Sequence, residues 1–185
     1  MDRWLKTRAR WIALGIGLAA PLCRSAFADA QAISEYQVKA AYLFSFTKFV
    51  EWPAGTFTNP ADPIRLCIMG DKSFQTQLNQ IVGNRQVAGH PVLVTLVQDG
   101  KESRGCQELF VGSSRSQETL QIIDSLRGSS VLTVGETNDF VEQGGIINFI
   151  VQGDHVQFQV NQKAAMLAGL RMSSQLLSVA RRVFK

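Results

Sequence analysis

Histidine and cysteine, on which most metal centres and many nucleophilic sites depend, are nearly missing, with two and three copies in 185 residues. His90 and His155 lie far apart in sequence, and neither has a nucleophile nearby in the chain. No cluster with metal-ligand spacing is therefore present. The G-x-S-x-G elbow, the H-E-x-x-H helix and the glycine-rich phosphate loops GxxxxGK(S/T) and GxGxxG are also absent. These absences leave hydrolase, zinc-peptidase and nucleotide-binding chemistry without support; no cofactor is implied, and the chain reads as a non-enzyme. Long apolar runs are scarce as well. The one near the N-terminus, Trp11 to Leu22, is short against the ~20 residues needed to span a bilayer. Arg3, Lys6, Arg8 and Arg10 precede it and Ala26-Phe27-Ala28 follows, the layout of an export signal cleaved near Ala28. Cys23 does not make a lipobox, because Leu22 stands where a small residue is required.

Removing residues 1–28 takes away five of the 19 basic residues and one of the 15 acidic ones. The remaining 14 and 14 cancel, so the apparent +4 charge disappears and no nucleic-acid partner is implied. Arg181, Arg182 and Lys185 fit the end of a C-terminal helix, where cations meet the negative end of the dipole. A remainder of 157 residues suits one domain, 29–185. Of the cysteines only Cys67 and Cys106 are left, and in an oxidising compartment a disulfide is the default reading of such a pair. In the chain-entropy model that loop contributes roughly 4 kcal/mol.

Helix and strand signals alternate. The spacing predicts a helix over Tyr36 to Val50, capped by Ser34 and ended by Pro53; strands over Pro63 to Met69 and Pro91 to Val97; and a helix between them over Ser73 to Val82. A charged loop (Gln98 to Gly105) leads to a short strand over Glu108 to Val111. A helix over Ser116 to Leu126, with Leu120, Ile123 and Leu126 inward, precedes a strand over Val131 to Val134. Gly145 to Val151 and His155 to Val160 read as a hairpin turning at Gly153-Asp154. Two short helices follow, one capped by Asn161 and ended by Gly169, the other capped by Ser173 or Ser174 with Leu176, Leu177, Ala180 and Val183 inward. The expected fold is a single-domain α/β sandwich: a mixed, largely parallel sheet flanked by helices, with a C-terminal antiparallel hairpin.

Four segments carry a resemblance: YQVKAAYLFSFTKFVEWP (Tyr36 to Pro53), VLTVGETNDF (Val131 to Phe140), GGIINFIV (Gly144 to Val151) and VQFQVNQKAAMLAGLRMSSQLLSVA (Val156 to Ala180). In order and spacing they resemble the YfiR family of bacterial periplasmic proteins, over nearly all of residues 29–185. The resemblance implies a periplasmic regulator that binds the sensor region of an inner-membrane diguanylate cyclase and lowers cyclic di-GMP output. It also implies relief by an OmpA-like outer-membrane lipoprotein, a homodimer, and a disulfide between Cys67 and Cys106. A second disulfide found near the Gly-Gly-Ile-Ile-Asn segment in some members has no counterpart here, so redox control through it does not carry over. The alternative is a periplasmic small-ligand-binding domain.

Candidate contact residues follow from the first helix. Gln37, Ala41, Ser45, Lys48 and Glu51 form a polar face, and Phe44 falls inside it, either covered by a neighbouring loop or exposed to a partner. Lys39, a cation among Tyr42, Phe46 and Val50, is explained by snorkelling. Trp52 at the helix exit is a contact or a packing residue, and Arg171 lies in a polar break between apolar segments. Ligand candidates sit after the parallel strands: Gly70, Gly135, and the run Ser113, Ser114 and Arg115, where a helix start offers N–H groups to an anion.

Overall fold

A computed structural model describes residues 25–185, with side chains from residue 35. Most of the expected export signal lies outside the described residues, and the cleavage position near Ala28 falls in the first turn of helix α1 (Ser25–Phe49). Among the described residues no helix is long and apolar enough to cross a membrane. The mixed α/β architecture is as the alternation predicts. Strands β2 (Ile64–Met69), β4 (His90–Leu96), β5 (Glu108–Val111) and β6 (Leu132–Gly135) are parallel, in the order β4-β2-β5-β6. The hairpin β7 (Ile147–Gln152) and β8 (His155–Asn161) continues the sheet, turning at Gly153-Asp154 with Gln152 opposite His155. Its edges are β3 (Gln86–Val87) beside β4, and β10 (Arg182–Phe184) parallel to β8.

Both faces of the central strands are covered, so β2 reads as an apolar run broken only by the exposed Arg65. Ile64, Leu66 and Ile68 face α1 and α2 (Lys72–Val82), while Cys67 and Met69 face α4 (Thr119–Ser125) with Ile122 and Leu126. Phe46 of α1 stands over the hairpin, with ring centroids 5.1 Å from Phe158 and 5.9 Å from Phe149. On the opposite side of the sheet Cys67 and Cys106 are bonded, their Cα atoms 6.0 Å apart, inside the apolar cluster that contains Leu109 and Phe140. Glu108 shares the α1 side with Phe110. It is fully buried on a central strand, and neither carboxylate oxygen has a hydrogen-bond partner. Burial pushes its pKa well above the ordinary value, so the neutral acid is the form this position favours.

Several local expectations are corrected. Ser34 does not cap the first helix, because alanine-rich sequence carries α1 back to Ser25. Helix α1 ends at Phe49, one residue before the expected Val50: Val50–Glu51 leave it as strand β1, pairing antiparallel with β9 (Arg171–Met172). The charged loop contains a one-turn helix, α3 (Gly100–Ser103), capped by the Asp99 carboxylate. A 3-10 segment, Ser113–Glu118, precedes α4 and rotates its face, burying Thr119 and Ile122 and leaving Leu120 56 % exposed. After α5 (Gln162–Leu167), capped by Asn161, helix α6 (Ser174–Val179), capped by Ser173, stops before Ala180. Val183 therefore belongs to β10, where a β-branched residue completes a sheet edge. His90 opens β4; its ring stacks on Phe57 at 4.3 Å and its Nδ1 lies 2.8 Å from the Asp62 carbonyl.

Candidate functional site

The β1–β9 pairing joins the exit of the first helix to the C-terminal segment. Glu51 faces Arg171 in register, and their side chains form an ion pair at 3.0 Å while remaining 70 % and 84 % exposed. The Ser173 N–H donates to the Phe49 carbonyl at 2.9 Å and extends the clasp by one bond. Such an exposed pair contributes only ~0–1 kcal/mol to stability, so its groups remain available for another charge. Lys48, one turn back on α1, is also exposed.

Phe44 departs from the exposed alternative. It is 4 % exposed, with the Lys48 Nζ 4.4 Å and the Arg85 guanidinium 5.5 Å from its ring centre. Two cations thus roof the ring, a cation–π arrangement that keeps the outer surface of this helix polar while the aromatic packs inward. Trp52 is half-buried: its indole N–H donates to the Gln107 carbonyl at 3.1 Å and its ring meets Phe57 edge-on. Its packing role is the one the geometry displays.

The strand carboxyl ends tell a different story from the anion seat expected there. Gly70, with φ +151°, backs so closely onto Gly112 that an added Cβ would lie 3.4 Å from the Gly112 Cα and 3.6 Å from the Ser114 Oγ. The Ser113 N–H already donates to Glu136 Oε1 at 2.7 Å. A carboxylate of the chain itself occupies the anion position. Arg115 turns away and grips Glu118 at 3.0 Å. Gly135 makes room for a ring: a Cβ there would fall 2.2 Å from Phe140, as would one on Gly145.

What sequence reasoning missed here is Lys39. It is 3 % exposed, and its ammonium lies 2.6 Å from Glu136 Oε2 and 2.5 Å from Glu35 Oε1. This is an ion-pair triad with a buried Lys39–Glu136 pair and a partly exposed Glu35, not a snorkelling stem. Burial alone would lower the Lys39 pKa, but the hydrogen bonds and charges of Glu136 and Glu35 outweigh it and hold the pKa above the ordinary value. Burial, with the Glu136 and Asp71 carboxylates, likewise raises the Tyr36 phenol. The Glu35–Lys39 spacing of four residues was a readable signal; Glu136, 97 residues from Lys39, left none.

With this geometry in place, the model of the YfiR/HmsC-like family matches residues 36–181. The chain belongs to the YfiR/HmsC-like family. Two solved structures show more distant likeness. One is a conserved domain protein from Vibrio cholerae O1 biovar El Tor strain N16961, 9% identical, with a TM-score of 0.51 over 65% of this chain and 54% of that one. The other is an ABC domain in complex with L-Trp from Streptococcus pneumonia, 14% identical, with a TM-score of 0.48 over 65% of this chain and 55% of that one. The chain thus spans about half the length of both, and the likeness to the first concerns the fold alone.

Proposed function

We propose that this YfiR/HmsC-like chain is an exported, non-enzymatic regulator that binds the periplasmic sensor region of an inner-membrane diguanylate cyclase and holds its output low. The observation that carries this reading is the family match across residues 36–181, which spans nearly the whole folded body. An OmpA-like outer-membrane lipoprotein relieves the repression, and the regulator works as a homodimer. Repression requires tighter binding to one sensor state than to the other, with each factor of ten in that preference worth ~1.4 kcal/mol.

The surface that best suits the task is the clasp. Lys48, Glu51 and Arg171 are exposed on two segments that meet only in the folded chain, and an exposed arginine is a residue type that dominates interface energies. Phe44 is not part of that surface, and Trp52 is engaged with Gln107 and Phe57. The test is co-purification of the mature protein with solubilised inner membranes of its host. Wild type retains a membrane protein bearing a cyclase domain, and Arg171→Ala retains much less at an unchanged melting temperature. Recovery of no membrane protein by wild type contradicts the reading.

A further inference from the structure

A cavity of about 410 Å3 opens between α4, α5 and the loops at 127–131 and 143–146. None of its lining residues belongs to the Glu51–Arg171 pair or to the strand-end triad, and nothing said of the partner depends on it. Its volume falls within the ~300–1,000 Å3 typical of small-ligand sites. The wall is apolar, built from Ile123, Leu126, Val131, Ile146, Ala164 and Leu167. Leu167 contributes although it is 79 % exposed, and Met166 beside it is 62 % exposed, more apolar surface than a six-residue helix ordinarily shows to water.

Four uncharged polar side chains line the same space, and three are already engaged: the Ser129 hydroxyl donates to the Leu126 carbonyl. Thr133 Oγ1 accepts from the Ile146 N–H at 3.0 Å; Asn161 accepts from the Ala164 N–H at 2.9 Å and donates to the Val141 carbonyl at 3.0 Å. Gln143 differs. Its amide nitrogen donates to Asp139, which fixes the orientation, and its Oε1 is buried with no hydrogen-bond partner. A buried acceptor left unmade is costly, by ~1–3 kcal/mol; because Oε1 is closed off from the cavity as placed, a ligand donor reaches it when the Gln143 side chain turns toward the cavity, and the bond then made is rewarded. Two cations complete the lining. Arg127 is tied to Asp124 at 2.8 Å, whereas Lys163 is exposed with no ion-pair partner among the described residues.

We propose that this cavity binds a small amphipathic acid: an apolar body against the Ile123–Ile146 wall, one hydroxyl or N–H donor to Gln143 Oε1, and a carboxylate toward Lys163. A neutral hydrocarbon leaves Gln143 unsatisfied, and a cationic amphiphile meets Lys163 and Arg127 with the wrong sign. Hydroxylated medium-chain fatty acids have the required three-part chemistry.

The experiment is calorimetric titration of the mature, oxidised protein with 3-hydroxydecanoate below its micelle concentration, alongside decanoate and 1,3-decanediol. One-to-one binding is expected for the hydroxy acid, about tenfold weaker for decanoate or for wild-type ligand on Gln143→Leu, the equivalent of one lost hydrogen bond. The diol binds more weakly than the hydroxy acid, and Lys163→Glu weakens the hydroxy acid while leaving the diol unaffected. Ala164→Phe fills the cavity and abolishes binding. Should that variant fold poorly, methyl NMR on wild type decides: shifts centred on Ile123, Leu126 and Ile146 support the site, and shifts elsewhere overturn it. No binding of 3-hydroxydecanoate at millimolar concentration, or binding that survives in a folded Ala164→Phe protein, also overturns it.

Discussion

Replacing Lys39 with methionine keeps the volume of the stem and removes the charge that two carboxylates share. In the folded chain the ammonium is 2.6 Å from Glu136 and 2.5 Å from Glu35, and the Glu136 side chain is only 9 % exposed. Without the cation, Glu136 keeps the Ser113 N–H and is otherwise an uncompensated charge in a poorly hydrated place. Breaking a buried pair from one side costs about 3–5 kcal/mol, a large share of the ~5–15 kcal/mol of a typical domain. At roughly 2–4 °C per kcal/mol for a chain of this size, the melting temperature falls by about 6–20 °C. Urea unfolding of the oxidised mature protein at pH 7 reads the loss directly. In the double variant Lys39→Met/Glu136→Gln the buried charge is gone too, so part of the stability returns. The pH sign follows from the raised Lys39 pKa: the stabilisation is complete below the ammonium's unfolded pKa and is lost as pH rises through the folded one, an alkaline window above about pH 10. A snorkelling lysine would behave otherwise. A loss under about 1 kcal/mol, with no recovery in the double variant, refutes the triad as a structural clasp.

Glu108→Gln removes the ionisation of a buried acid whose folded pKa is raised. The wild-type contribution is complete below its unfolded pKa near 4.5 and is lost as pH rises toward the folded one, so Glu108→Gln gains on wild type as pH rises above about 5; stability curves that stay parallel as pH rises contradict this. Gly135→Ala drives a methyl to within 2.2 Å of Phe140 and destabilises by about 1–3 kcal/mol or more, measured by thermal unfolding; an unchanged melting temperature shows that Phe140 has room to move. Phe44→Ala empties a core position and costs about 3–5 kcal/mol in urea unfolding, whereas a change under 1 kcal/mol returns Phe44 to the surface.

The parallel strands and the hairpin were legible because their signals are local: β-branched runs, Gly-Asp at the turn, Asn161 and Ser173 as caps. The family segments were legible for the same reason, each being a contiguous pattern. Where two distant pieces decide, the sequence was silent. Val50–Glu51 is helical by pattern and becomes a strand only because Arg171–Met172 lies beside it, and Val183 leaves its helix for the open edge of β8. The candidate site divides in the same way. Glu51 and Arg171 were each named from local context, but their mutual ion pair is a product of topology. Covered and exposed stayed open for Phe44 because a helical wheel shows neither Arg85, which comes from beyond α2, nor the fold of Lys48 back over the ring. At Ser113 the sequence offered an N–H to an anion, but not the anion itself: Glu136, just past the carboxyl end of the neighbouring strand β6, takes that N–H.

Cyclic di-GMP level in the host tests the central claim most directly, measured in the wild type, in a strain lacking this gene, and in a strain lacking both this gene and its partner cyclase. Removing a protein that selects the inactive sensor state lets the sensor relax toward the active one. The level therefore rises in the single deletion and returns to baseline in the double. An unchanged level in the single deletion, under conditions where both proteins are made, contradicts the account.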